Sequence, residues 1–342
     1  MNKPRHTIDI FNGDADGLIA RHQYRLAHPV STSQRQQLHL ISGVKRDIAL
    51  TSQALALVNQ NLNAEYDITV FDISYNQNAG AIEQLLALGA HVRYFDHHLA
   101  NLLKPHPNLA AQINLSPEVC TSLLVDRLDG VKGAYRQWAI TAAFGDNLIR
   151  VATGLAIAAS LSSSDTALLR ELGECLNYNA YGETAADLYF HPLDLAVQLA
   201  PYRDPLEFIR NETVFATLKQ GLAEDLKCAM ATAPYFANEA VAIVQLPDQA
   251  WARRVSGVFA NRLTERNPNR AHAVLTANSI GSFTVSIRAP MTASTTTMPR
   301  ADQVAIAFAG GGRASAAGIN RLPGDKIEQL IDKMKEVFQL GK

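Results

Sequence analysis

The stretch FNGDADGLIA, residues 11–20, decides how this chain is read. Two aspartates, Asp14 and Asp16, stand side by side but for one alanine, where an apolar run through Ile8, Ile10 and Phe11 gives way to glycine. On its own, D-x-D-G is most often a turn, because Asp and Gly favour turns. Outward from it, the β-like runs HTIDIFN, LHLISG, DITVFDIS, HVRYFD and AQINLS alternate with the helical patterns GLIARHQYRLAH, ALTSQALALVNQNL and NAGAIEQLLALGA. This alternation predicts an α/β first half: a mostly parallel sheet with helices on both faces, binding its ligand beyond the carboxyl ends of the strands.

The acidic residues gather at that edge. Asp14 and Asp16 follow the first run, Asp72 closes ITVFD and Asp96 closes VRYFD; Asp146, in AAFGDN, ends an apolar helical stretch. Two carboxylates ~4 Å apart repel by about 4 kcal/mol at an effective dielectric near 20, so such a cluster needs cations or must hold protons. YFDHH, residues 94–98, adds His97 and His98. Carboxylates with an imidazole suit Mn²⁺ better than an all-oxygen Mg²⁺ site or a thiolate-rich Zn²⁺ site. Two ions sharing a carboxylate would stand about 3.5–4 Å apart, the spacing that activates water and clamps a phosphoryl group. A lone D-H-H reads as a surface loop; the whole ordered set, each member at the end of an element, reads as a metal centre.

Composition bounds the rest. With 342 residues, 47% hydrophobic and 18% charged, the chain has material for two globular domains. No apolar run approaches the ~18 residues of a membrane helix, and MNKPRHTIDIF lacks a leader-like core, so the chain reads as cytoplasmic with no membrane role. Cys120, Cys175 and Cys228 are far apart without C-x-x-C spacing, and are expected as reduced, packed thiols. A net charge of −1 disfavours duplex nucleic acid, which needs a strongly basic surface. The imbalance is internal: residues 1–200 carry 14 basic and 19 acidic side chains, and the remainder 17 and 13, which would suit an acidic metal site opposite an anion-binding surface.

These residues make the chain similar to the DHH phosphoesterase superfamily. DADG (14–17) matches its first motif, Asp72 its second, DHH (96–98) its third and Asp146 its fourth; VSIR (285–288) and AGGGRASAAG (309–318) resemble the substrate-binding DHHA1 domain. The layout is most similar to the nano-RNase and oligoribonuclease-like branch. The resemblance implies a DHH domain at 1–196, a linker and smaller α/β DHHA1-type domain at 197–342, and an active site in the cleft between them. It implies two ions, Mn²⁺ with Mg²⁺ or Co²⁺ as substitutes, held by Asp14, Asp16, Asp72, His97 and Asp146, with Asp72 bridging. His98 would contact the phosphate or assist proton transfer, and Asp96 would orient an imidazole. Arg288, Gly310, Gly311, Gly312 and Arg313 would bind substrate, the glycine amides approaching an anion and the arginines offering bidentate forks.

Two positions depart from the family pattern. Many relatives carry histidine four residues before the first motif aspartate, or aspartate two before; here those positions are Ile10 and Asn12. Asn12 either offers an amide oxygen to an ion or caps the turn. Arg313 replaces the usual histidine.

The implied activity is a Mn²⁺-dependent phosphodiesterase cleaving short linear oligonucleotides, such as pGpG, to 5′-mononucleotides; a homodimer is compatible with it. The alternatives are a phosphatase of pAp or a pyrophosphate-type substrate, a cyclic-dinucleotide phosphodiesterase, and a non-catalytic nucleotide-binding regulator. Tyr178 and Tyr181 either stack on bases or pack the interdomain connection. The apolar spacing over 250–265 reads as core, and the Thr/Ser run 292–297 as a loop.

Overall fold

The computed structural model describes residues 3–31, 37–47, 49–291 and 300–339; the Thr/Ser run at 292–297 lies outside them. The chain divides into two units, Met1–Lys219 and Gln220–Lys342. In the first, strands and helices alternate as β1 (Arg5–Phe11), α1 (Ala15–Ala27), β2 (Leu38–Ile41), α2 (Thr51–Gln60), β3 (Glu65–Phe71), α3 (Tyr75–Ala87), β4 (His91–Asp96) and β5 (Leu109–Ile113). A helical half follows: α4 (Thr121–Asp126), α5 (Arg136–Gly145), α6 (Ile149–Ala158), α7 (Ser163–Asn179), α8 (Pro192–Leu199), α9 (Pro205–Asn211) and α10 (Thr213–Met230), the last running across the division. The five expected strands all form, in a parallel sheet of order β2-β1-β3-β4-β5. The order reverses between β1 and β3, where a parallel sheet opens a crevice for ligand.

Alternation along β1 sorts its side chains. Ile8 and Ile10 enter an apolar core with Val58, Ile68, Val70 and Leu85. Asp9, also buried, receives Arg21 and Arg25 of α1 at 3.0 and 2.8 Å, which fastens that helix to the strand. Phe11, Phe71 and Phe95 stand at one level, Phe11 paired with Phe71 and Phe71 with Phe95. The Phe71 and Phe95 rings stack 5.6 Å apart, and Tyr24 of α1 packs on both. This aromatic floor brings the next residues, Asn12, Asp72 and Asp96, to the sheet edge together.

The division lies inside α10, beyond the 196/197 boundary expected from the sequence. The segment around α8 and α9 is tied into the first unit: His22 of α1 bonds the Tyr202 carbonyl at 2.8 Å, and Arg203 donates to the Tyr135 hydroxyl at 2.9 Å. Tyr178 is fully buried beside Tyr189, so its packing role holds and base stacking does not. Cys120 and Cys175 are buried thiols as expected, but Cys228, on α10, is exposed.

The second unit contains β6 (Phe236–Ala237), β7 (Val241–Leu246), α11 (Ala250–Arg266), β8 (Ala271–Ala277), β9 (Ser282–Arg288), α12 (Ala301–Ile306), β10 (Gly311–Gly312), β11 (Ala316–Pro323) and α13 (Ile327–Gln339). Among the described residues its six strands form a mixed sheet of order β10-β11-β9-β8-β7-β6, in which β7 and β8 are the parallel pair. One face packs on α12 and α13 through Val285, Ile287, Val304, Leu330 and Met334. On α11, Val255, Val258 and Phe259 are buried as their spacing predicts. Among the described residues no helix is long and apolar enough to cross a membrane.

Candidate metal centre

Asp14 caps α1: its Oδ1 accepts from the amides of Asp16 and Gly17, both at 3.1 Å. The helix can start this close to β1 only because residue 17 lacks a side chain; a Cβ there would lie 2.4 Å from the Asn12 carbonyl oxygen. Asp16, in the first turn, accepts from the amides of Thr121 and Ser122 at 2.7 and 2.8 Å, at the start of α4. Asp72 follows β3 in the left-handed backbone region, φ 59°, which aspartate tolerates better than most residues. Its carboxylate accepts from the Thr121 hydroxyl at 3.0 Å.

The D-H-H turn is organised by its aspartate. Asp96 Oδ1 accepts from the amides of His97 and His98 and from His98 Nδ1 at 2.7 Å, while Oδ2 accepts from the Tyr75 amide. Asp96 is thus hydrogen-bonded to the His98 ring as well as to its backbone. His97 Nδ1 lies 3.0 Å from the Val119 carbonyl. A carbonyl only accepts, so Nδ1 carries a proton and Nε2 turns to Asp72 at 3.3 Å and Asp16 at 4.0 Å. Ligand atoms of Asp72, His97 and His98 fall within 4.8 Å of one another. Asp146 sits at the C-cap of α5, half-buried.

The electrostatics ask for a cation. Burial, then the neighbouring Asp72 charge, lifts the Asp16 carboxyl to about 6. Asp72 is raised as well, by burial and by Asp14. His97 goes the other way from most buried imidazoles: burial disfavours its charge, but the Asp72 hydrogen bond and the Asp72, Asp146 and Asp16 charges raise it to about 10. A proton on Nε2 thus fills the place a divalent ion would take, and these buried oxygen and nitrogen donors fit such an ion. Asp14 differs. Against the cost of burial, Lys45 holds its carboxyl below the usual range, with the Lys45 ammonium 2.5 Å away. Asn12 is engaged at both ends of its amide: Oδ1 accepts from the Asp14 amide and Nδ2 donates to the Lys45 carbonyl, each at 3.3 Å. This is the geometry of a turn cap. The Cys120 thiol is pushed well up by burial and by the Asp16 and Asp146 charges, so it stays protonated.

In the second unit the five expected substrate residues come together. AGGGRASAAG folds into the β10–β11 hairpin, with Arg313 and Ala316 closing its tip at 2.7 Å (N–H to O). Arg288 pairs with Ala316 across β9 and β11. Gly310 and Gly312 have backbone reasons to be glycine: a Cβ on Gly310 would lie 2.3 Å from the Gly318 carbonyl, and Gly312 has φ 146°. Gly311 has open space around it. Arg288 is held by the Asn261 side-chain oxygen at 2.6 Å and by the Ile287 and Gly257 carbonyls.

Several supporting residues carry no motif in the sequence. Thr121 and Ser122, which hold Asp16, lie in a stretch with no motif. Asn261 gave no signal apart from its place on an apolar helix. Lys45 was invisible because its partners come from α1 and the end of α7. One signal was present: IDIFN, ITVFD and VRYFD each set Asn or Asp directly after the phenylalanine of the floor.

Neither a protein-family model nor a curated protein matches the chain. Solved structures do. A DHH domain described as a member of the s1p family of ribosomal proteins superposes with a TM-score of 0.63 at 13% identity, over 97% of this chain and 86% of that one. An exonuclease RecJ bound to manganese gives 0.55 at 15% identity, over 97% and 89%. RecJ from Thermus thermophilus in complex with Mn²⁺ gives 0.55 at 16% identity, and there the chain spans 97% of itself but about half, 51%, of the other protein. The fold is that of the DHH-domain proteins, a parallel five-stranded α/β unit followed by a smaller unit with a mixed sheet.

Proposed function

We propose that this chain is a metal-dependent phosphodiesterase that hydrolyses short linear oligonucleotides, dinucleotides such as pGpG above all, to 5′-mononucleotides. The observation that carries the reading is the meeting of Asp16, Asp72 and His97 Nε2 at one sheet edge, where buried charge needs a cation to balance it. When bound, Mn²⁺, with Mg²⁺ or Co²⁺ as substitutes, supplies positive charge that polarises a phosphoryl oxygen and acidifies water. Asp16, Asp72, His97 and Asp146 hold the ion. His98, its Nδ1 fixed by Asp96 and its side chain 44% exposed, contacts the phosphate and passes a proton to the leaving oxygen. Arg288, preset by Asn261, and Arg313 at the hairpin tip grip substrate phosphate or a guanine edge. The RecJ structures of this fold are described as holding manganese, in keeping with such chemistry. A net charge of −1 also suits a substrate needing only a few cationic contacts.

The test is product analysis with Mn²⁺ and Mg²⁺ on pGpG, other dinucleotides, longer RNA, a cyclic dinucleotide, pAp and pyrophosphate, side by side. Dinucleotides should be cleaved fastest. Faster turnover of pAp or pyrophosphate would make the protein a phosphatase; faster turnover of the cyclic substrate would make it a cyclic-dinucleotide phosphodiesterase. Tight nucleotide binding without turnover would make it a regulator.

A further inference from the structure

Lys45 lies in the loop after β2 and its ammonium is seated from three sides. Asp14 Oδ2 is 2.5 Å from Nζ, Asn177 Oδ1 is 3.0 Å away, and the Tyr181 ring centre is 5.5 Å away, presenting its face. Asn177 belongs to the last turn of α7 and Tyr181 follows that helix. The lysine backbone is pinned as well: its amide donates to the Ala180 carbonyl at 2.9 Å, and its carbonyl accepts from Asn12. An ammonium offers three donors on a flexible stem, and here two meet oxygens while the aromatic face takes the rest of the charge. The seat is built by two segments far apart in sequence, and Lys45 contacts both.

Beside Asp14 a positive charge already stands, the Lys45 ammonium. Asp14 gives Oδ1 to two amides of α1 and Oδ2 to Lys45, and its carboxyl also meets that of Asp72. Asn12 spends its amide on backbone partners. Ile10, where the resemblance expects a histidine, is fully buried in the apolar core on the other side of β1 from Asp9. By contrast, Asp72 and Asp16 converge on the imidazole of His97, whose Nε2 can exchange its proton for an ion. From this juxtaposition we infer that the Lys45 ammonium takes the place of one of the two divalent ions, so that this chain builds a mononuclear centre on Asp16, Asp72, His97 and Asp146. The inference rests on the metal-centre reading above and narrows it: one ion is exchangeable, and the other positive charge is covalently part of the protein.

The number of ions is measurable without any substrate. Full-length apoprotein is equilibrated with Mn²⁺ and analysed for bound metal, and its frozen-solution electron paramagnetic resonance spectrum is recorded. One Mn²⁺ per chain and the hyperfine sextet of an isolated ion are expected. Two ions of similar affinity, with the multiline signal of an exchange-coupled pair, would overturn the inference while leaving the metal-centre reading intact. No binding at all would overturn both. Lys45→Met removes the charge and keeps the stem, so it should admit a second Mn²⁺, with the coupled signal appearing as metal is added; Lys45→Arg should keep one. A Lys45→Met protein that folds and titrates like the wild type would show that the ammonium excludes nothing. If that variant does not fold, the wild-type stoichiometry and spectrum decide the question alone.

Discussion

Gly17→Ala is the substitution whose outcome the structure constrains most tightly, because two opposed effects can be sized. Alanine favours a helix interior over glycine by about 1 kcal/mol. At residue 17, however, the new methyl would stand 2.4 Å from the Asn12 carbonyl oxygen and 2.8 Å from the Asn12 nitrogen, both backbone atoms that cannot rotate away. Relief to the ~3.5 Å of normal contact requires about 1 Å of movement of α1 against β1, and overpacking of this kind costs about 1–3 kcal/mol or more. The net is a loss of up to roughly 2 kcal/mol. The same movement displaces Asp16 from His97 and Asp72, and metal ligation tolerates only about 0.2 Å of misplacement. Mn²⁺ affinity should therefore fall more than the stability change alone would suggest. Gly80→Ala in α3 is the matched control: nothing lies within 4 Å of its added methyl, so it should stabilise by up to about 1 kcal/mol and leave Mn²⁺ binding unchanged. Urea unfolding and Mn²⁺ titration of both variants measure the contrast. A Gly17→Ala protein as stable as wild type, with undiminished Mn²⁺ affinity, would refute the close approach of α1 to the end of β1.

Asn261→Ala should raise KM for a dinucleotide by about tenfold, the lower end of what a hydrogen bond to a charged group is worth, because Arg288 keeps its carbonyl partners; kinetics at constant bound metal give the answer. Arg313→Ala should cost roughly 1.5–3 kcal/mol in kcat/KM on a 5′-phosphorylated dinucleotide, and equal losses on the unphosphorylated one would exclude a 5′-phosphate contact. His22 supplies a pH dependence remote from the metal centre: burial lowers it from 6.5 to about 4, against the favourable Tyr202 carbonyl. Its unfolded form takes a proton first, so stability is full above about pH 6.5 and declines as pH falls toward 4, by about 2 kcal/mol at pH 5. His22→Gln keeps a donor for Tyr202 and should flatten that slope in urea unfolding; an unchanged slope would place the titration elsewhere.

How legible this molecule is in its sequence depends on where each contact originates. The strands β1, β3 and β4 announce themselves, since β-branched and aromatic residues run up to an Asn or Asp, and a parallel sheet buried on both faces needs such runs. Asp14, Asp16, Asp72 and the Asp96-His97-His98 turn follow at once from a general rule about strand ends. The helices after β5 are harder to place, because the core shared by α4, α5, α6, α7 and α9 is assembled from residues spread between Val119 and Leu206, with no local pattern to say which helix meets which. What holds the site together is harder still. Lys45 meets Asn177 from 132 positions away, and Thr121 meets Asp16 from 105. Such pairs are made by the fold and have no local pattern. Tyr178 shows a different limit: its residue type leaves base stacking and packing equally open, and only its burial in the core decides for packing.

The proposed role of the cluster around Asp72 is to hold a divalent ion and use it to cleave a phosphodiester. It is tested most directly by incubating pGpG with metal-depleted wild type and with Asp72→Ala, each with and without added Mn²⁺, and quantifying 5′-GMP. Product is expected only from wild type with metal, together with a loss of bound Mn²⁺ in Asp72→Ala, because that carboxylate faces His97 Nε2 at 3.3 Å in the middle of the cluster. Hydrolysis by Asp72→Ala at the wild-type rate, or wild-type turnover indifferent to Mn²⁺ and to chelator, would contradict it.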